Sequence, residues 1–340
     1  MLYVLGALAP WPLSAEPGPV APPQDHHCLS PADAGEALDL GPEPLWVDRT
    51  ALLLREGACR SARWADGLFG VEDRVDDYRQ ASGTLATSLL WSQHDGLHPH
   101  VRFHVQLPLP QAEDRVHAFI GTHDRGEFVT ERSEPSGGLP RQFGAAGDDE
   151  TLLGLGYAPP PRNGGRFDTS AGIRIQWPFD PYLKASYESV ARRGTGTALL
   201  ARETAFWERE EGFGLTLRGD VDRGVGLRWR ARTELSGTLS QRTRGVRGYG
   251  TATLFNELSA GRAVAYQVGF DGETRAEVPL HDFGIRVSYR RRVWKDWLAI
   301  ELRTSLGWPR DTRAAPRVRS FGAGLGLEMA FGGAKFRGIN

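Results

Sequence analysis

The feature that most limits how this chain can fold is an alternation of apolar and polar residues that recurs along most of its length. Between residues 98 and 109 the odd positions hold Val101, Phe103, Val105, Leu107 and Leu109, and the even positions hold His98, His100, Arg102, His104 and Gln106. Successive side chains of a β-strand point to opposite faces, whereas a helix repeats every 3.6 residues. The segment is therefore predicted to be a strand with one apolar and one polar face.

The same period of two predicts many further strands. Five more segments show it clearly: Arg166–Trp177, Gly224–Leu235, Phe283–Tyr289, Trp297–Trp308 and Phe321–Phe331. Eight segments show it more weakly: Thr84–Trp91, Arg115–His123, Thr151–Tyr157, Tyr182–Val190, Ala198–Trp207, Phe213–Val221, Tyr249–Leu258 and Ala263–Asp271. We accept about 12 to 14 of these candidates as strands.

Strand length and connection length favour a transmembrane β-barrel over a soluble β-rich fold. The clear candidates run to about 10 to 12 residues, and a tilted strand needs about 9 to 11 to cross the apolar slab. Tight connections at 107–111 and 259–262 contrast with long polar ones at 124–150 and 236–247, which is the habit of barrels with short turns on one rim. Tryptophans near the predicted strand ends fit an interfacial girdle. They are Trp91, Trp177, Trp207, Trp294, Trp297 and Trp308.

Composition excludes two other classes of protein. With 41 Lys and Arg against 42 Asp and Glu, the net charge of -1 gives no support for nucleic-acid binding. No stretch approaches the roughly 20 uninterrupted apolar residues of a membrane-spanning helix, so a helical membrane protein is excluded. We predict an all-β, antiparallel transmembrane β-barrel in residues 83–331, with a soluble β-rich fold as the alternative.

The ends of the chain differ from the barrel segment. Residues 1–15 form an apolar run ending in Leu-Ser-Ala, which indicates the remnant of a signal peptide, with a disordered apolar terminus as the alternative. Residues 16–82 are predicted to be a periplasmic linker followed by a short helix that Asp48 caps, and residues 332–340 a C-terminal tail. Cys28 and Cys59 form either one disulfide or two unrelated buried thiols.

Three segments carry a resemblance to a family. They are residues 58–70 (ACRSARWADGLFG), 101–121 (VRFHVQLPLPQAEDRVHAFIG) and 289–309 (YRRRVWKDWLAIELRTSLGWP). Together they resemble a group of uncharacterised outer-membrane β-barrel proteins of Gram-negative bacteria. The last strand resembles the signal read by the barrel-assembly machinery at Gly326, Met329 and Phe331, although the chain continues past Phe331. The resemblance implies location in the outer membrane, with its lipid and the assembly machinery as partners, and implies no activity.

The polar faces of the clear strands predict a charged lumen. The basic candidates are Arg102, Arg174, Arg228, Arg230, Arg232, Arg286, Arg290 and Arg303, and the acidic candidates are Asp168, Glu234, Glu301 and Glu328. Two interpretations stay open: the charges pair and fill the lumen, or arginines form a basic constriction that favours anions. We predict a narrow or plugged pore with a basic lumen that admits small anionic solutes, with a structural or assembly protein without transport as the alternative.

Histidines cluster around the first predicted hairpin. His94, His98, His100 and His104 lie close in sequence, and three of them share a strand face. A metal site would need a further ligand such as Asp95, and nothing fixes that ligand. We therefore predict a histidine-rich polar wall and no bound metal.

The sequence gives little support for an enzyme. The pairs His94–Asp95, His123–Asp124 and Asp148–Asp149 match the Asp–His and Asp–Asp pairs of omptin-like proteases, but such neighbours are common in loops. The His, Ser and Asn pattern of outer-membrane phospholipases is absent, as are a nucleotide loop, GxSxG and HExxH. We expect no enzymatic activity and no cofactor, with a hydrolase at the barrel rim as the less favoured alternative.

Overall fold

A computed structural model shows a closed barrel of antiparallel strands. It describes residues 49–50, 53–54, 56–57, 82–109, 115–124, 149–161, 164–194, 196–293 and 297–331. The fourteen strands are β1 (Ser82–Ser92), β2 (Gly96–Pro108), β3 (Val116–Asp124), β4 (Asp149–Tyr157), β5 (Gly165–Arg174), β6 (Asp180–Arg193), β7 (Thr197–Glu208), β8 (Gly212–Gly224), β9 (Trp229–Ser240), β10 (Arg247–Ser259), β11 (Arg262–Glu273), β12 (Leu280–Arg292), β13 (Leu298–Gly307) and β14 (Ser320–Phe331). The predicted fold is confirmed, at the upper end of the predicted strand count.

Each strand pairs with its neighbours in the chain, and β1 pairs with β14 to close the barrel. The closing register runs from Gly83 opposite Phe331 to Ser92 opposite Gly322. Every strand therefore has a paired neighbour on both sides, which a sheet in lipid requires because the hydrocarbon offers no hydrogen-bond partner. None of the described residues forms a helix long and apolar enough to cross a membrane.

The two rims of the barrel differ in their connections. We call the rim where β1 begins and β14 ends the terminal rim, and the other the loop rim. The two longest connections, residues 125–148 and 308–319, both lie at the loop rim, while the terminal rim carries shorter ones such as 260–261 between β10 and β11. Short turns face the periplasm in bacterial barrels, so the loop rim faces outward from the cell.

One predicted strand is two strands in the structure. The segment 224–235 was expected to be continuous, but β8 ends at Gly224 and β9 begins at Trp229. Gly226 adopts a φ of 84°, a left-handed conformation that glycine takes without the strain of a side chain. The backbone N–H of Val225 donates to the carbonyl of Trp229 across this turn. The alternation of residues continues through the turn, which is why the period alone did not reveal it.

The outer wall is apolar, as lipid requires. Leu302, Val287 and Leu325 alternate with inward residues and are 49%, 40% and 52% exposed. Inward positions in the same barrel are polar and closed off: Thr216 and Thr238 are 0% exposed, and their hydroxyl oxygens lie 2.8 Å apart. The hydrophobic surface therefore faces the membrane, and the buried interior is built from polar side chains.

A sector of the outer wall at the terminal rim is covered. Leu298 and Met329 are paired across β13 and β14 on the outward face, yet are only 1% and 5% exposed. Leu54, in the N-terminal segment where residues 49, 50, 53, 54, 56 and 57 are helical, packs against them. At Leu54 the segment before the barrel thus contacts the outer wall and not the lumen. The remainder of residues 1–81, with both cysteines, and residues 332–340 lie outside the described residues.

Candidate pore lining

The pairing register of neighbouring strands determines which side chains point into the lumen. Paired residues on neighbouring antiparallel strands point to the same side of the sheet. Thr204 pairs with Ser186 and with Thr216, and Thr216 pairs with Thr238, so one inward level can be followed from β6 to β9. Counted from this level, every second residue along a strand points inward, and the register carries the assignment to the remaining strands.

An arginine-rich cluster lies on the inward faces of β2, β12, β13 and β14. Its members are Arg102, Arg286, Arg290, Arg303, Glu301 and Glu328, all less than 9% exposed. Positions two or four residues apart in a strand share a face, which brings the arginines of β12 onto the same wall as Glu301 and Arg303 of β13. Ala86 of β1 stands between Arg102 and Glu328 in register, and its small side chain leaves space between those two longer ones.

The two glutamates of this cluster are shared among its arginines. Arg290 donates from Nη2 to Oε2 of Glu328 at 2.6 Å, and its Nη1 lies 3.7 Å from Oε2 of Glu301. Arg303 donates from Nη2 to Oε1 of Glu301 at 3.1 Å. Arg286 donates to the amide oxygen of Gln267 at 3.2 Å. Counted over the described residues, the cluster holds four arginines and two glutamates, at mid-height and toward the terminal rim.

An acid-rich cluster lies in β4–β7, at the loop rim. Arg174 donates to Glu208, its Nε lies 2.8 Å from Oε2 of Glu150, and its Nη1 lies 2.9 Å from Oδ2 of Asp180. The side chains of Arg174, Asp180 and Glu208 are 1%, 2% and 0% exposed. Register explains the convergence, because Asp180 pairs with Arg174 and Tyr182 pairs with Glu208. One guanidinium, with donors on three nitrogens, thus holds three carboxylates.

Between these clusters, β5–β10 carry a series of ion pairs between arginines and acids. Arg218 binds Asp220 and approaches Glu234 at 3.8 Å, while the Tyr249 hydroxyl donates to Glu234. Three further pairs follow the lumen. They are Arg232 with Asp222 at 2.9 Å, Arg202 with Glu188 at 3.4 Å and Arg202 with Asp168 at 3.8 Å. These arginines are therefore paired with acids on their own strand or on a strand one or two places away.

The structure changes the expected balance of the lumen. Glu150, Asp180, Glu208, Asp220 and Asp282 all occupy inward positions and were not among the predicted lumen acids, because they belong to strands with weak alternation or lie at strand ends. With them, inward-facing acids are about as numerous as inward-facing bases over the described strands. An excess of bases thus holds for the arginine-rich cluster and not for the lumen as a whole.

Two predicted lumen arginines lie at the terminal rim. Arg228 falls in the connection between β8 and β9 and is exposed, because the turn at Gly226 interrupts the predicted strand. Its assignment to the lumen wall is corrected accordingly. Arg230 is the second residue of β9, in register with Gly224 and Phe255 on the inward side, and is also exposed. Neither residue joins either cluster.

Five histidines line the inward faces of β2 and β3. His98, His100 and His104 belong to β2, and His117 and His123, which the sequence analysis did not place with them, belong to β3. The rings of His98 and His100 are stacked at 6.4 Å, and those of His104 and His123 meet edge to face at 5.8 Å. Among the described residues, no group of three or more potential ligands is arranged to hold a metal ion.

The predicted rim pairs are only partly described. His94 lies at the loop rim, with Nε2 3.9 Å from Oδ1 of Asp95 and 3.2 Å from Oδ2 of Asp311. Asp311 also approaches Nε2 of His281 at 3.7 Å, so it bridges two histidines from different hairpins. These contacts tie the 308–319 connection to the rim. The side chains of Asp124 and Asp149, and residue Asp148, lie outside the described residues.

Comparisons with known proteins show likeness to outer-membrane barrels. No protein-family model matches the sequence, and no curated protein matches it. Among solved structures, OccK11 (OpdR) of Pseudomonas aeruginosa has a TM-score of 0.41 at 8% identity over 74% of this chain and 95% of that one. An OmpT loop-deletion variant from Vibrio cholerae has 0.45 at 9% over 74% and 98%. The KdgM porin in complex with disordered oligogalacturonate has 0.36 at 8% over 73% and 99%.

The architecture of the barrel itself indicates where the protein lies. A closed antiparallel barrel with an apolar outer belt and a polar interior is the architecture of outer-membrane proteins of Gram-negative bacteria. The protein is an outer-membrane β-barrel.

Proposed function

We propose that the protein is a narrow pore that admits small anionic solutes along the arginine-rich cluster. The observation that carries the proposal is the composition of that cluster, which places four arginines and two glutamates of the described residues on the lumen wall. Guanidinium groups suit carboxylate and phosphate oxygens in charge and geometry. A small anion that enters the lumen would meet several of these guanidinium groups on one part of the wall.

Position along the pore favours this cluster as the selective element. Arg102 and Arg286 each lie at the seventh of 13 strand residues, at mid-height in β2 and β12. The acid-rich cluster lies at the loop rim, where three of its side chains are at most 2% exposed and its carboxylates are bound to Arg174. A solute that crosses the barrel therefore meets the arginines near the middle of its path.

The pore is expected to be narrow. Small eight-stranded barrels are filled by their side chains, and barrels of about 16 to 18 strands leave an aqueous channel, so fourteen strands lie between these cases. Long side chains that pair across neighbouring strands occupy much of the interior, as the low exposure of Arg174, Glu234 and Arg290 indicates. Small ions fit this interior better than large solutes do.

Planar-bilayer recording of the purified full chain tests the proposal. We expect a small conductance that favours anions, measured as the reversal potential in a salt gradient. Arg286→Gln should reduce that preference, because it removes one charge from the cluster. Arg291→Gln is the matched control, since Arg291 follows on the same strand but faces outward and pairs with Arg262 and Ile300. A large cation-selective current would contradict the proposal, and the absence of any current would favour a structural role without transport.

A further inference from the structure

The apolar outer wall contains one charged side chain near mid-height. Glu203 is the seventh residue of β7, between the inward-facing Arg202 and Thr204, so it faces the membrane. The other outward-facing ionisable side chains that the structure describes lie at or next to a strand end. They are Arg193, Arg223, Arg262, His281 and Arg291. Of these described side chains, only Glu203 lies near the centre of the hydrocarbon layer.

This carboxylate has no partner within the described part of the chain. Glu203 is exposed and makes no hydrogen bond or ion pair with any described residue. Hydrocarbon offers neither water nor a counter-ion, so an ionisable group held in it without a partner is costly. Charged residues at strand ends reach the interfacial water, but a short glutamate in the middle of a strand does not. Since no described residue supplies the partner, a second molecule is its candidate source.

A hydrogen-bond donor lies beside Glu203 on the same wall. Tyr187 pairs with Glu203 in register between β6 and β7, is 49% exposed, and faces outward. Its hydroxyl lies where a Cβ on Gly165 of β5 would stand, so the phenol reaches away from β7. Donor and acceptor therefore flank β6 on its two sides. A surface that carries both is complementary to a second copy of itself.

The surroundings of these two residues allow close approach of another wall. Ala185 pairs with Ala205, and Ala201 pairs with Gly219, all on the outward face of β6–β8. A Cβ added at Gly219 would have nothing within 4 Å, so this part of the wall is open to a neighbour. Small residues serve this purpose at contacts between membrane segments.

We propose that the outer wall of β6–β8 is a symmetric interface between two copies of this chain. A two-fold axis along the membrane normal, passing over β6, sets Glu203 of each copy against Tyr187 of the other. The phenol hydroxyl donates to the carboxylate, and the bond forms twice. Lipid headgroups do not reach this depth, and no outward cation lies at mid-height on the described strands, so a copy of this chain supplies the donor through Tyr187.

The test measures association of the full chain in lipid vesicles. Singly labelled protein is reconstituted over a range of protein-to-lipid ratios, and single-molecule photobleaching counts the copies in each spot. We expect dimers in the wild type and at least about a tenfold weaker association for Glu203→Leu and for Tyr187→Phe, since each removes bonds to a charged group. Glu203→Gln should stay closer to wild type, because its amide oxygen still accepts from the phenol.

Two further variants separate the interface from general effects on the barrel. Ala185→Trp places bulk at the proposed axis and should abolish the dimer, whereas Ala252→Trp, outward on β10, should leave it intact. Glu203→Leu should also raise the thermal unfolding temperature of the monomer in detergent, since it removes a charge from the lipid face. Wild type that remains monomeric at every ratio, or dimers unchanged by Glu203→Leu and Ala185→Trp, would overturn the proposal.

Discussion

The acid-rich and arginine-rich clusters both bury charged side chains in the lumen, but with opposite ratios of acids to arginines. In the first, Arg174 binds Glu150, Asp180 and Glu208, whereas in the second Glu301 and Glu328 serve the arginines of β12 and β13. Buried charge is tolerated only where partners are in place. We therefore expect each cluster to depend on its minority charge, and among the described residues arginines outnumber acids only in the arginine-rich one.

The largest expected effect on stability comes from removing Arg174, the cation of the acid-rich cluster. Arg174→Met should destabilise the barrel by about 3 to 5 kcal/mol, because it leaves three carboxylates together without their cation. Urea unfolding in detergent micelles, followed by the mobility shift on unboiled gels, measures this. Adding Glu208→Gln in the same chain should recover part of the loss. A loss below about 1 kcal/mol would show that the cluster is hydrated and does not depend on Arg174.

Placing a charge on the lipid-facing side of a strand should have the next largest effect. Leu302→Arg places a cation on the lipid face of β13 and should cost roughly 2 to 4 kcal/mol near mid-bilayer. The neighbouring Arg303→Gln changes an inward side chain and should be milder, because Glu301 keeps Arg290 at 3.7 Å. The same unfolding assay compares the two. Equal losses would contradict the assignment of the inward and outward faces.

The same acid-to-amide change should have unequal effects in the two clusters. Glu328→Gln removes one of the two acids that bind Arg290 and should cost about 1 to 3 kcal/mol, the range for a hydrogen bond to a charged group. Glu208→Gln removes one acid of three and lowers the repulsion among carboxylates, so its net cost should be smaller. Parallel unfolding curves for the single variants measure both. The reverse order would refute the idea that the minority charge controls each cluster.

Exposed pairs at the loop rim should matter least. Asp311→Asn removes the carboxylate that approaches His94 and His281, but its side chain is 58% exposed. Surface ion pairs contribute about 0 to 1 kcal/mol, and salt screens them. We expect little change in stability at physiological salt, checked by thermal unfolding with and without added salt. A loss as large as that of Arg174→Met would mean that the rim contacts hold the barrel together.

Much of the fold followed from alternation alone. The six clear candidate strands all contain a real strand, since a sheet between lipid and lumen must separate apolar from polar residues at every second position. Strand ends were less predictable. At Val225–Arg228 the alternation runs through a turn, and only the left-handed backbone of Gly226 marks the break.

The candidate site was only partly accessible from the sequence. Arg286, Arg290 and Arg303 share a face with their own strand neighbours, so the period identified them as inward residues. The contacts with their glutamate partners, and among the four members of the acid-rich cluster, depend on the register between neighbouring strands, as in the pairing of Arg290 with Glu301. Glu203 could have been noticed, because it interrupts the apolar positions Leu199, Ala201, Ala205 and Trp207 of its own strand.

The sequence by itself determined that the chain forms a membrane barrel and which side of each clear strand meets lipid, because both depend on a local period of two. Only the tertiary structure decided the number of strands, the charge balance of the lumen and the position of Leu54 on the outer wall. These depend on cross-strand register and closure. Register is set by many residues at once and shifts every pairing together, so no single segment contains it.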